Sequence, residues 1–474
     1  MNNIKFNNKL FRVNIGLGMA LLLTLFSCNK LVDAGPPREQ TVADIVFSSD
    51  ASATSAVYGI YTTMINTISL FIGSGAVTVY GGLSSDELSY TGTNATLQEI
   101  NTNEISKDNL NMTSNLWQKA YDLIYKANIC IEGITKSNSI SSKIKNQLLG
   151  ECLIVRSHIY FNMIQLFGDV PLILTTDYKL NASMARTPSN QILDQLVIDL
   201  TNAASRLTPD YPTTGKIRPN QLTANALLAK VYLLQKKWDL AEIAATTVID
   251  SKKYILESNL DNIFLIQSDE TIWQVMPVNV NINTPEGSNL IPSSTTAKPN
   301  YIFTQSLLNA FENGDNRKAS WVKVRTVATI PYATPNKYKT RSATPWNEYY
   351  VIFRLAEQYL IRAEARNEQN KVADAVKDIN IIRNRARGPL PTDLPPLSET
   401  IAKEDLAQAI IRERRIELLC EWGNRWFDLK RYHLANNVLS SLKSAWQPTD
   451  TLYPIPADQL ILNKNLEQNA GYPK

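Results

Sequence analysis

Apolar residues recur along this chain at intervals of three and four, the spacing that gathers side chains on one face of an α-helix. Leu116, Ala120, Leu123, Ile124, Ala127 and Ile131 keep it, as do Leu149, Cys152, Leu153, Ile159, Tyr160, Met163 and Phe167; it returns at Leu355, Tyr359, Leu360 and Ala363. A mainly α fold is predicted. Leu228, Ala229, Tyr232, Ala241 and Val248 also stand at the small and apolar places of a tetratricopeptide hairpin, with its turn at 235–239, and Ala363 and Ala375 repeat the Ala229 to Ala241 separation. Small residues there let two helices approach, and stacked pairs cover each other's apolar faces.

Two stretches break the pattern. Residues 257–350 are rich in Pro, Asn, Ser and Thr, carry Trp273, Trp321, Tyr332, Tyr338, Trp346, Tyr349 and Tyr350, and hold no sustained helical period. Residues 69–103, with Gly73, Gly75, Gly81, Gly82, Tyr80 and Tyr90, are a smaller version. Long irregular segments in a folded chain are functional or disordered, and this aromatic content argues for order. The predicted organisation is one body with helical repeats over about 40–256 and 350–440 and a loop-rich, ligand-binding excursion over about 257–350.

The amino terminus reads as an export signal. Lys5, Lys9 and Arg12 precede the apolar run from Val13 to Phe26, too short to cross a bilayer comfortably, and Leu25-Phe26-Ser27-Cys28 closes it. That ending resembles a bacterial lipobox, which makes 1–27 a lipoprotein signal peptide, Cys28 the lipidation site and 28–474 the mature body. No later apolar run reaches spanning length, so membrane attachment rests on Cys28, where several acyl chains suffice for stable anchoring. Removing the three basic residues takes the formal charge from +4 to +1, which lends no support to a nucleic-acid partner.

Candidate chemistry is sparse. Of the two histidines, His158 lies in an amphipathic pattern and His433 follows a cationic helix end; neither joins a metal-ligand or Ser/His/Asp spacing. There is no Walker loop, G-x-G-x-x-G, G-x-S-x-G or C-x-x-C, so no metal, cofactor or enzyme activity is expected. Cys130, Cys152 and Cys420 sit in apolar helical patterns and are expected as buried thiols. Glycosidase chemistry needs only two carboxylates, but the sequence singles out no pair. Glu413 shares a helical face with Leu406, Ala409, Ile410, Ile416 and Cys420 and so points inward, where a carboxylate needs a partner. Arg156, Arg362, Arg383 and Arg425 lie on comparable surfaces, and these residues are expected to form structural ion pairs.

Four segments carry a family resemblance. They are the run from Val155 to Leu172 with its Phe167-Gly-Asp-Val-Pro171 exit, Arg354 to Ala365 with Ile379 to Ala386, Glu413 to Leu418 with Glu421 to Arg431, and Tyr453-Pro-Ile-Pro456 through Asn463, Asn465, Gln468, Asn469, Gly471 and Tyr472. Together they resemble the SusD/RagB family of outer-membrane lipoproteins; Lys464, Ala470 and Cys420 are mild departures. The resemblance implies a SusD-like fold, a surface-exposed lipid-anchored location, and a partner in a SusC-like TonB-dependent transporter to which the protein delivers oligosaccharide. RagB-like members deliver peptides instead, which is the second reading, and a glycoside hydrolase is the third. In SusD-like proteins the ligand meets loops of the early half and of the middle excursion. By position these offer Asp86, Tyr90 and Asn94, with Trp321, Tyr338, Arg341 and Trp346. Aromatic rings suit the C–H faces of sugars and polar side chains their hydroxyl rims.

Overall fold

The computed structural model describes residues 44–65 and 69–473; the signal segment and Cys28 lie outside the described residues. Helix α1 (Asp50–Ile65) buries Ala53, Val57, Ile60, Tyr61 and Met64. The short α2 (Ala76–Ser84) is buried at every residue and runs to strand β1 (Leu88–Tyr90). A π-helical turn, Asn111–Gln118, leads into α3 (Lys119–Lys136). The long α4 (Ser142–Phe167) follows, then α5 (Ser189–Arg206), α6 (Gln221–Leu234) and α7 (Trp238–Asp250). Beyond Leu148, α4 is buried almost all round because α3 and α5 pack on it from either side.

The hairpin signature has a direct counterpart. Ala229 on α6 and Ala241 on α7 are fully buried where those helices pack together. Further along, α9 (Leu355–Glu368) and α10 (Val372–Ala386) repeat the arrangement with Ala363 and Ala375, and α7 packs against α9 so that the two hairpins are neighbours. With α11 (Lys403–Glu417), α9 and α10 enclose a separate apolar cluster around Leu360, Ile379 and Ile410. The helix α12 (Asn424–Arg431) lies against α2.

The excursion is anchored at its base. Strand β2 (Thr271–Val275) pairs antiparallel with β6 (Tyr350–Arg354), Val275 opposite Tyr350 and Thr271 opposite Arg354, and both strands are buried throughout. Between them lie α8 (Pro285–Leu290), β3 (Tyr301–Phe303) and the hairpin of β4 (Val322–Val327) with β5 (Ile330–Pro335). Strand β3 pairs with β1, so the two irregular stretches of the sequence meet in one ladder.

A lattice of buried charges joins the excursion to the helices. Glu417 on α11 accepts from Arg317 at 2.9 Å, from Arg354 at 2.6 Å and from Arg385. Glu413 accepts from Arg317 at 2.6 Å and Arg383 at 3.1 Å. Arg156 forks onto Asp199 with two 2.9 Å bonds, and Arg362 onto Asp378. Arg425 does not meet Glu413; its partner is Asp86, at 2.7 Å. Cys130, Cys152 and Cys420 are free and buried.

Candidate functional site

Antiparallel pairing of Tyr90 with Tyr301 sets their rings 5.6 Å apart at the end of the β1–β3 ladder. The chain then turns at Gly92, where a Cβ would run into the Tyr90 ring. Asn94 follows as the cap of the helix Ala95–Thr102: its side chain accepts from Leu97 N at 3.1 Å, and its own N–H donates to Tyr90 Oη at 3.2 Å. Thr91 N donates to Asn300 O at 2.9 Å and Lys298 Nζ donates to Thr91 O at 3.1 Å, binding this turn to the segment that leaves α8.

That segment is tied in turn to the loop before β6. Arg341 donates to the carbonyls of Ser288 and, at 2.7 Å, of Ile291. Trp346 Nε1 donates to Asn279 O at 3.1 Å, Thr344 Oγ1 to Val280 O at 3.2 Å, and Asn347 Nδ2 to Thr340 Oγ1 at 3.1 Å. Glu348 is buried beneath, accepting from Lys339 N at 2.7 Å and Thr340 N at 3.1 Å, and burial pushes its carboxyl up to about 7. The result is three loops bonded in series through the segment that leaves α8, carrying the half-buried rings of Tyr90, Trp346 and Tyr349 and the exposed Asn94, Lys298, Asn300 and Asn347 as a candidate rim. Trp346 and Tyr349 meet edge to face, 6.5 Å apart. Rings with one free face and amides with spare donors and acceptors suit a ligand with apolar faces and hydroxyl edges.

Three residues expected at a ligand are buried rather than on the rim. Asp86 is 2% exposed, and although burial acts to raise its pKa, Arg425 and Arg415 outweigh that and hold it low; its oxygens are used inside the fold. Trp321 is fully buried, donating to Leu260 O at 3.3 Å under the Lys337 ammonium, 4.1 Å from its ring. Tyr338 is buried too, its hydroxyl accepting from Val351 N at 3.0 Å. Each stands in a helix terminus or strand flank that turns it toward the core, where a Trp or Tyr contributes packing. Of the other four, Tyr90, Asn94 and Trp346 reach the rim, and Arg341 is spent on backbone carbonyls that hold two loops together. Tyr349, Asn347, Asn300 and Lys298 were not singled out; the only signal was the adjacency of Tyr349 and Asn347 to Trp346.

A cavity of about 670 Å³ adjoins the same ladder, lined by Asp86, Ser89, Asn101, Ser306, Tyr332 and Lys443 among others, so that Asp86, though paired with Arg425 and Arg415, borders it. Glu286 and Glu348, which flank two of these loops, are both 1% exposed and engaged with hydroxyls or backbone N–H groups, which does not suit them to acid/base work on a surface ligand.

Helix hairpins that present a rim of loops define a binding scaffold of the SusD type, and comparison with known proteins agrees. Residues 60–233 match a SusD-like family model described as starch-binding and associating with the outer membrane, and residues 312–447 match that of the SusD family. SusD-like protein P2 of Formosa agariphila is 27% identical over 96% of this chain and 98% of its own length. The starch-binding protein SusD of Bacteroides thetaiotaomicron is 35% identical over 26% of this chain and 21% of its own. The crystal structure of a SusD superfamily protein from Bacteroides vulgatus superposes with a TM-score of 0.79 at 20% identity, covering 90% of this chain and 99% of the other. The chain belongs to the SusD/RagB family.

Proposed function

We propose that this protein is a surface lipoprotein, anchored to the outer membrane through Cys28, that captures oligosaccharide on the Tyr90, Trp346 and Tyr349 rim and delivers it to a SusC-like TonB-dependent transporter. The observation that carries the glycan assignment is the set of half-buried rings among exposed amides, on loops held by each other's backbone rather than by the ligand. A rim already ordered loses little entropy on binding. Relatives support the class: besides the starch-binding SusD, a surface glycan-binding protein from Bacteroides fluxus shares the fold, with a TM-score of 0.73 at 22% identity.

Replacing Trp346 by alanine removes one stacking face, which is worth roughly 1–3 kcal/mol, a loss of oligosaccharide affinity of about fivefold to a hundredfold. Calorimetry against glycans that the wild type retains on an array should show that loss with little change in melting temperature. Trp321→Ala, in the core, should lower the melting temperature instead. Glycan affinity unchanged in Trp346→Ala places the site elsewhere; a wild type that ignores the array and retains short peptides makes it a peptide importer; release of reducing ends makes it a hydrolase.

A further inference from the structure

A second concavity lies away from the loop rim. It is bounded by the C-terminal end of α4, the start of α5, the end of α6, α12 and residues 433–436 and 448–452, and holds about 660 Å³. That is room for a small organic molecule. Its walls are mostly hydrocarbon, from residues such as Ile164, Leu193, Phe427 and Leu452, and its basic lining residues are Lys430, Arg431 and His433, with no Asp or Glu.

The three basic residues are not equivalent. Arg431 is occupied by Glu364, at 2.7 Å, and Asp428, at 2.8 Å, while His433 is exposed to solvent. Lys430 donates to the carbonyl of Gln165 in the last turn of α4 and lies 5.2 Å and 5.5 Å from the ring centroids of Trp426 and Phe427. Among the described residues no carboxylate pairs with it. The helix end explains why a cation is held there, since the final carbonyls of a helix attract positive charge. It uses one of the three N–H donors of an ammonium. Beside it, Gln165 Nε2 is buried without a hydrogen-bond partner, on the partition between this cavity and a water-sized void of about 30 Å³. Burial pushes the Lys430 ammonium down to about 7, so the site is costly to keep charged when empty. An anion brought alongside repays that cost, and the hydrocarbon walls select what the anion is attached to.

We propose that this cavity binds small organic carboxylates that have an apolar face, the carboxylate meeting Lys430 and the hydrocarbon lying against Ile164, Leu193 and Phe427. Acidic sugars, aromatic acids and short fatty acids all present that chemistry. The site is independent of the glycan rim and stands whether or not that assignment holds.

The test uses the full mature chain with glucuronate, benzoate and hexanoate as probes and glucose, benzyl alcohol and hexanol as their neutral counterparts. Binding is read by ligand-detected NMR and calorimetry. At least one carboxylate should bind tenfold or more tightly than its counterpart, and Lys430→Met should lose that preference. Leu193→Trp narrows the cavity from its apolar wall and leaves the charged residues unaltered; it should weaken carboxylate binding tenfold or more while keeping its melting temperature, which separates loss of the site from any unfolding caused at Lys430. Trp346→Ala should bind the carboxylate like wild type. Equal binding of acid and neutral probes overturns the proposal, as does binding undiminished in Leu193→Trp, or no binding of any of the three acids.

Discussion

Single carboxyl groups in this protein fall into two electrostatic kinds with opposite consequences. Burial acts to raise the pKa of Glu417, but Arg385, Arg354 and Arg317 outweigh it and hold the group well below its ordinary 4.5. Glu87, Glu286 and Glu348 have no such guanidinium cluster, and burial pushes each up to about 7. A carboxyl with a raised folded pKa grips its proton more tightly in the native state. The stability it contributes is therefore complete below about 4.5 and is lost as pH climbs through 7. Glu417 contributes stability present above about 4.5 and lost as pH falls below it. His158, buried and pushed down to about 3 from 6.5, offsets one of the three glutamates by favouring the native state as pH rises toward 6.5. Across the range from acid to pH 7, urea midpoints should thus peak near pH 4.5, decline toward pH 7 and collapse in acid. Glu286→Gln, which mimics the protonated carboxyl, should flatten the decline between pH 5 and 7; a slope identical to wild type there contradicts the assignment. At this scale the sequence was half legible. The inward turn of Glu413 followed from helical spacing, whereas the burial of Asp86, Trp321 and Tyr338 depended on partners hundreds of residues away or on strand flanks that carry no periodic signal.

Helices announced themselves through spacing, and the Ala229/Ala241 and Ala363/Ala375 hairpins could be read because small residues at fixed intervals are needed for close approach. Strand pairings could not be read, since β1–β3 and β2–β6 join segments far apart in the chain and each is only a few residues long. The crossing of α2 with α12 was equally hidden. A Cβ on Gly81 would stand 2.9 Å from Gly423 Cα, and Gly423, which opens α12 at a φ of 63°, would place its own Cβ 2.8 Å from Val77 O. Two backbones touch there with nothing between them. Gly423→Ala combines a left-handed residue with a clash against an immobile carbonyl, and should cost about 1–3 kcal/mol by overpacking plus roughly 1 kcal/mol for its backbone conformation. Gly81→Ala, on a helix where alanine is otherwise favoured, should cost less. Chemical denaturation of the two variants measures both, and a smaller loss for Gly423→Ala reverses the ranking.

For the molecule as a whole, family and fold class followed from motifs that build the frame: Glu413, Glu417, Glu421 and the arginines around them are interior ties. The ligand rim was poorly legible for the complementary reason, because its residues obey local loop geometry and leave no spacing rule. The proposed attachment to the membrane rests on Cys28, which lies outside the described residues. None of the described helices is long and apolar enough to cross a bilayer. Metabolic labelling with an alkyne fatty acid should mark the wild type and spare Cys28→Ala, which should also leave the membrane fraction; equal labelling of both excludes Cys28 as the anchor.

The antiparallel clasp of β2 on β6 brings residues 275 and 350 side by side before any of the intervening chain is specified. Once those ends are fixed, the added entropy of a longer intervening loop grows only with the logarithm of its length, about 0.6 kcal/mol for each doubling. The exposed turns of that stretch, between the buried ties made by Arg317, Trp321 and β3, are therefore its exchangeable parts: they can lengthen or change their aromatics at little entropic cost while those ties and the helical frame keep their register.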